Sequence, residues 1–311
     1  MAKAIPWTTA ETALLRQYVE QGLNAEEISQ RFAADGLSRT HQAVRRYLQR
    51  LRDREPGKWC AKVARSPIAM PTGPLEAEGD TLVLGDPHCP FHDADWVNRV
   101  SALALRYHIK QVALIGDLID WTAFSRYGRR AGVEAEDEIR AAEQFVRALA
   151  ANFERVYYLP GNHEERLARQ TNHALTLERI AEWWVTRPNV VTTRKKWMLL
   201  HSGGETFRLT HPKNYSRTPG ANSRALCSKY LMHTIGAHDH LVAVTKDVSG
   251  TFWGVDTGMC AARRLLDYIE EESSNNPQMV QGACLVMGGV PVTVTPDSIA
   301  LYEQFTRTRA A

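Results

Sequence analysis

The stretch Val112-Ala113-Leu114-Ile115-Gly116-Asp117-Leu118-Ile119-Asp120 decides the fold of this chain. Its four apolar residues read as a buried strand, and Gly116 lets the backbone turn tightly so that Asp117 points into the space beyond the strand end. The same pattern recurs on both sides. Upstream, Leu82-Val83-Leu84 leads to Asp86-Pro87-His88; downstream, Val156-Tyr157-Tyr158-Leu159 leads to Gly161-Asn162-His163-Glu164, and a fourth cluster is His238-Asp239-His240. In α/β sheets, ligands collect where strand C-terminal ends open into loops, because side chains from several strands converge there. Hard oxygen donors and imidazoles at four successive places predict one shared metal site.

Outward from these clusters, apolar strands alternate with helical patterns over 94–107 and 134–152, the signature of β-α units and a mostly parallel sheet. Further on, Trp197–Leu200, Thr206–Thr210, Leu241–Val248, Thr251–Asp256 and Leu285–Val294 read as short strands of a second, more antiparallel sheet. The front of the chain is different. Thr8 or Thr9 can cap a helix carrying Leu14, Leu15 and Val19, with Gly22 ending it. Asn24 then caps Ala25–Phe32, and Ser38 opens a third helix with Val44, Leu48 and Leu51 on its apolar face. Between 55 and 80, Pro56, Gly57, Pro67, Pro71, Gly73, Pro74 and Gly79 are too many breakers for a regular element, which predicts a linker. The expected organisation is a helical domain over 1–54, a linker over 55–80 and an α/β domain over 81–305, with frayed tails at Met1–Pro6 and Thr306–Ala311.

Of the 311 residues, 44% are hydrophobic and 23% charged, as in soluble globular proteins. No apolar run approaches a membrane span and no signal-peptide pattern opens the chain, so a cytoplasmic location is expected. Cys60, Cys89, Cys227, Cys260 and Cys284 are odd in number and scattered, which predicts free thiols rather than a disulfide framework. The net charge of +3 conceals an asymmetry, since residues 1–65 hold twelve Lys/Arg against seven Asp/Glu.

The ordered clusters resemble the calcineurin-like metallophosphoesterases, whose signature runs D-x-H, G-D-x-x-D, G-N-H-[D/E], a lone His and G-H-x-H. The resemblance implies an α/β sandwich of two sheets flanked by helices, here preceded by the small three-helix domain. It makes Asp86, His88 and His240 ligands of one divalent ion, Asn162, His211 and His238 ligands of a second, and Asp117 the bridge. It places His163 as the proton donor to the leaving oxygen and Asp120 as the residue that orients it. Asn162 and Arg166 are the candidate phosphate-binding residues, the latter through its planar fork. The chain departs from the pattern at Ala237, where Gly is usual, and at Pro212 after the lone His. His201 is the rival for the lone His. His211 is preferred because Gly203-Gly204 looks like a hairpin turn whose second strand delivers it to the ligand edge. His41, His92, His108, His173 and His233 are read as ordinary core or surface side chains. A nitrogen and oxygen ligand set suits manganese first, with iron, zinc, nickel or cobalt allowed.

The first domain resembles the Myb/SANT-type helix-turn-helix through Trp7-Thr8, Arg39-Thr40 and Val44. That implies DNA contact by Arg39, Thr40, Gln42, Arg45, Arg46 and Arg50. The reading that follows is a metal-dependent phosphodiesterase or nuclease acting on DNA. The alternatives are a phosphomonoesterase of proteins or small molecules and a DNA-binding regulator with an idle phosphoesterase fold. Protein phosphatases of this kind carry Arg-Gly after the second Asp of G-D-x-x-D, where this chain has Trp121-Thr122.

Overall fold

The computed structural model describes residues 6–55, 58–59, 73–125, 132–185, 187–266 and 279–308. Its chain divides into two units, Met1–Ala69 and Met70–Ala311. The expected linker residues Pro56, Gly57, Pro67 and Pro71, together with Cys60, Met1–Ile5 and 309–311, lie outside the described residues.

In the first unit, side-chain caps set the helix starts. For α1 (Thr9–Glu20), Thr8 Oγ1 accepts from Glu11 N at 3.1 Å while the Glu11 carboxylate accepts from Thr8 N at 2.8 Å. Asn24 and Glu27 repeat this reciprocal box for α2 (Ala25–Ala34). The third helix, α3 (His41–Arg54), does not open at Ser38. Thr40 caps it by accepting from Ala43 N at 3.3 Å, so Arg39 and Thr40 precede the helix. Leu15, Val19, Ile28, Phe32, Val44 and Leu48 form the core, and Trp59, from the expected linker, is buried with them.

Arg39, expected at a DNA surface, is committed inside this unit. Its Nε and Nη2 donate to the Glu11 carboxylate at 2.7 and 2.9 Å, and Nη2 also donates to Pro6 O at 2.6 Å. The guanidinium lies 4.7 Å above the Trp7 ring, and both members of the ion pair are only 8% exposed. The arginine thus ties the entry of α3 to α1. Hydrogen bonds from Arg39 and Thr8 hold the Glu11 carboxyl down at about 2, against an ordinary 4.5. A lowered folded-state value means the stabilisation is complete above the ordinary value and is lost as pH falls through the folded one. Amide hydrogen exchange in α1 of the full chain should therefore show lower protection at pH 3 than at pH 5, and Glu11→Gln should remove that difference.

The second unit begins with β1 (Leu75–Glu78) and β2 (Thr81–Leu84), followed by α4 (Ala94–Arg106), β3 (Gln111–Ile115), α5 (Ala135–Asn152) and β4 (Arg155–Leu159). Then come α6 (Glu164–Gln170), α7 (Leu177–Glu182), β5 (Val190–Thr192), β6 (Trp197–Ser202), β7 (Glu205–Thr210) and α8 (Ala221–Tyr230). Finally β8 (His233–Gly236), β9 (Val242–Lys246), β10 (Trp253–Thr257), β11 (Ala283–Met287) and β12 (Val290–Val294) lead to the helix Ile299–Thr308. One sheet has the order β12-β11-β2-β3-β4-β5, with β2 to β5 parallel. The other, β1-β6-β7-β8-β10-β9, mixes parallel and antiparallel pairs. The architecture is an α/β sandwich of two mixed sheets with flanking helices.

Two strand expectations change. Leu285–Val294 is a hairpin turning at Gly288-Gly289, and its first strand pairs antiparallel with β2, so it extends the first sheet rather than the second. Residues Leu75–Glu78, expected in the linker, pair in parallel with β6. Local composition could show neither, because pairing partners lie over a hundred residues away.

The decisive run 112–115 is apolar throughout because both of its faces are covered. Ala113 and Ile115, with Val83 and Leu159, pack between the sheets against Met198, Leu200, Phe207, Leu209, Ile235 and Val255. Val112 and Leu114, with Leu82 and Leu84, point the other way onto Val100, Phe145 and Val146 of α4 and α5. Each such Leu or Ile contributes about 1.5–3 kcal/mol by leaving water. Cys89, Cys227, Cys260 and Cys284 are buried free thiols, and burial pushes Cys284 up to about 12. Among the described residues no helix is long and apolar enough to cross a membrane.

Candidate metal centre

The loops after β2 and β3 continue the pairing of their strands. Asp86 N donates to Gly116 O at 3.2 Å, His88 N to Asp117 O at 3.0 Å, Cys89 N to Leu118 O at 2.8 Å and Asp120 N to Cys89 O at 3.1 Å. The buried Glu164 carboxylate ties in the third loop, accepting from Leu118 N at 2.9 Å and Gly161 N at 2.6 Å. His163 N donates to Asp117 Oδ1 at 2.8 Å, and His238 N to Asp86 Oδ2 at 2.7 Å. Backbone bonds therefore fix where each functional side chain starts.

That fixation holds several of them in an unfavourable conformation. Asp86, His88, Asp117, His238 and His240 all have positive φ, between 47° and 80°, as does Trp121 at 53°. Non-glycine residues occupy this region at a cost of about 1–3 kcal/mol each, and such strain gathers at functional sites. Nothing in the sequence marked these positions as strained.

Three groups of side chains have ligand atoms close enough to hold a metal ion: Asp86, His88 and His240; Asp117, His211 and His238; and His88, Asp117 and His163. Asp117 joins the last two. Its Oδ2 lies 3.4 Å from His211 Nε2, 3.7 Å from His163 Nε2 and 4.0 Å from His88 Nε2. Asn162 Oδ1 is 2.8 Å from His211 Nε2, so the asparagine belongs to the same cluster. His201 does not. Its ring bonds Thr206 Oγ1 at 3.1 Å and faces Glu76 at 3.7 Å, and the structure brings His211, the first residue after β7, to the cluster instead. His233 bonds Glu205 and Trp253 N, away from the site.

Tautomers follow from the partners. His88 donates Nδ1–H to Asp120 Oδ1 at 2.8 Å, and His211 donates Nδ1–H to Ile115 O at 3.0 Å. Both rings therefore turn Nε2 inward: His88 Nε2 faces His240 Nε2 at 3.1 Å, and His211 Nε2 donates to Asn162 Oδ1 at 2.8 Å. Burial pushes Asp86 up to about 7 against the charge of His211, and Asp86 Oδ1 is buried without a hydrogen-bond partner. Burial also depresses His238, to about 3, with the His211 charge adding to the effect, and it holds His240 well below the ordinary imidazole range. The Asp117 carboxyl runs the other way: burial would raise it, but His163, His211 and His88 together hold it well below the carboxylate range. His211 rises to about 9 because Asp117 and Asp86 outweigh its burial. An orphaned buried carboxylate oxygen beside facing imidazole lone pairs fits divalent cations, which would satisfy both.

Asp120 and Arg166 do more than expected. Asp120 Oδ1 serves both His88 and His163, the latter at 3.1 Å, and the Asp120 carbonyl accepts from His163 Nδ1 at 2.9 Å. Arg166 donates from Nη1 to that carbonyl at 2.8 Å and from Nη2 to His163 Nε2 at 2.7 Å. The guanidinium is thus bound to the His163 frame. Ala237, the departure from the usual Gly, is accommodated because its Cβ would lie 2.6 Å from a Cβ at Gly85, a space that glycine leaves empty. Of the residues expected to contact DNA, Gln42, Arg45, Arg46 and Arg50 are exposed on α3, Thr40 is its cap and Arg39 is internal.

A model of the calcineurin-like phosphoesterase family matches residues 80–241, about half the chain. Among solved structures, the chain is similar to Vps29 of Chaetomium thermophilum, with 13% identity, coverage of 66% of this chain and 82% of that one, and a TM-score of 0.38. It is similar to Vacuolar Protein Sorting 29 of Cryptosporidium parvum at 13% identity over 70% and 95% of the two chains, TM-score 0.38. It is also similar to Yfce, a phosphoesterase from E. coli, at 14% identity over 70% and 98%, TM-score 0.37. No curated protein sequence matched.

Proposed function

Because this chain belongs to the calcineurin-like phosphoesterase family and is a metal-dependent hydrolase, we propose that it is a two-metal phosphodiesterase acting on DNA. The observation that carries the reading is the pair of ligand groups, Asp86-His88-His240 and Asp117-His211-His238, set side by side with His163 against Asp117. In this reading Asp86, His88 and His240 would hold one ion, Asn162, His211 and His238 the other, and Asp117 would serve both. Manganese suits this donor set, and iron, zinc, nickel and cobalt are tolerated by it. Such ions neutralise phosphate charge and lower the pKa of an attacking water.

The chain's own residues do the rest. Asp120 fixes the His163 ring through Nδ1, leaving Nε2 to hand a proton to the leaving oxygen. Arg166 holds that same Nε2 in the structure; a phosphate oxygen arriving with substrate draws the guanidinium to itself and frees the nitrogen. Asn162 shares the phosphate.

DNA is favoured as the substrate by the exposed face of α3, where Gln42, Arg45, Arg46 and Arg50 stand opposite the buried Val44 and Leu48. We take residues 1–54 as a targeting module joined to the catalytic domain, which raises the effective concentration of DNA at the site. Purified full-length protein loaded with manganese should cleave bis-p-nitrophenyl phosphate and DNA, and His163→Ala should abolish both. The double variant Arg45→Ala, Arg46→Ala should weaken DNA binding and reduce its salt slope by about one unit per arginine. Cleavage of p-nitrophenyl phosphate alone, with DNA untouched, would replace this reading with a phosphomonoesterase.

A further inference from the structure

Asp239 stands between two histidines of the centre yet faces away from it. Its carboxylate is 1% exposed and accepts from Ser216 N at 2.7 Å and from Asn222 Nδ2 at 3.0 and 2.9 Å. The same Asn222 amide donates to Asn214 O at 2.6 Å. Asn214 and Ser216 flank Tyr215, so the backbone on both sides of that tyrosine is pinned to the histidine loop. The far end of the segment is held too, through Gly220 N to Asp256 Oδ2 at 2.5 Å.

Tyr215 itself is 42% exposed, although it stands edge-on to the His238 ring with centroids 6.1 Å apart and planes at 85°. A large aromatic ring held at the surface by hydrogen bonds on both sides of it is not there to fill a core. It forms a wall beside the metal centre, and Lys213 and Arg217 are exposed on the same loop. We infer that Tyr215 is a specificity-determining residue whose ring stacks on the nucleobase adjoining the scissile phosphate, so that nucleoside phosphodiesters are preferred over diesters of small alcohols. The inference rests on the phosphodiesterase reading above and deepens it. Stacking on an aromatic ring tolerates any base, because every base has a π-face.

The test compares two diesters with the same leaving group: thymidine 5′-(p-nitrophenyl phosphate), which carries a base, and methyl p-nitrophenyl phosphate, which does not. The quantity read is the ratio of their kcat/KM values on one preparation, which is insensitive to the fraction of active protein. Tyr215→Ala should lower that ratio about tenfold, the scale of one lost base stack, and Tyr215→Phe should keep it. An unchanged ratio in Tyr215→Ala, or an equal fall in Tyr215→Phe, overturns the assignment. Wild-type protein that cleaves neither diester overturns the phosphodiesterase reading itself, and this inference with it.

Discussion

Asp117→Asn is expected to lower kcat/KM on bis-p-nitrophenyl phosphate about a thousandfold, because losing the charge stabilisation of a bound ion is worth several kcal/mol and each 1.36 kcal/mol is tenfold in rate. The geometry singles out this carboxylate. Its Oδ2 faces His88, His163 and His211 at once, and its Oδ1 accepts from His163 N. It is 1% exposed, so no water can replace the missing charge. An amide keeps the shape and can still accept from His163 N through its oxygen, but it offers only one oxygen and no negative charge to two cations. The expected companion result is a drop in bound manganese, measured by elemental analysis of the dialysed protein. Full metal content with activity within tenfold of wild type would show that Asp117 bridges nothing.

Gly161→Ala is expected to damage the same residue from the other side. A Cβ at 161 would lie 2.0 Å from Asp117 Oδ1, 2.4 Å from Asp117 N and 2.8 Å from Asp117 Cγ. Backbone cannot give way as a flexible side chain can. Gly161 does not have a positive φ; glycine is needed there for the space that Asp117 fills. Overpacking of this kind costs about 1–3 kcal/mol, and a displacement of about 1 Å in a reacting group costs about a hundredfold in rate. Both a lower melting temperature and a matching loss of kcat/KM should appear. Gly73→Ala is the control, because nothing lies within 4 Å of its added Cβ and its φ is ordinary. If Gly161→Ala melts and turns over like wild type, the close approach has no functional consequence.

Gly116 makes the complementary case. Its φ of +94° demands glycine, and a Cβ there would also meet His211 Nδ1 at 2.2 Å. One glycine was legible from its turn; that it also makes room for a histidine 95 positions later was not. The two buried polar anchors follow the same logic. Glu164 is visible in Gly161-Asn162-His163-Glu164, but its task of gathering Leu118 N and Gly161 N appears only when the two loops meet. Asp239 looks like spacing between histidines until its carboxylate is seen to hold Ser216 and Asn222.

By itself the sequence determined the order of strands and loops that feed the centre, because burial on both faces writes an unbroken apolar run and a ligand site needs its donors directly after it. It also determined that the first two helices carry their own caps, since Thr8 and Asn24 act within three residues. Only the tertiary structure decided which histidine joined the cluster, His211 over His201, because β6 and β7 are antiparallel and deliver these two residues to opposite ends of the sheet. It likewise decided that Arg39 closes its own unit, that 283–294 extends the first sheet, and that Tyr215 borders the metal centre. Each of these depends on partners distant in sequence, and no local pattern records which distant group a side chain will meet.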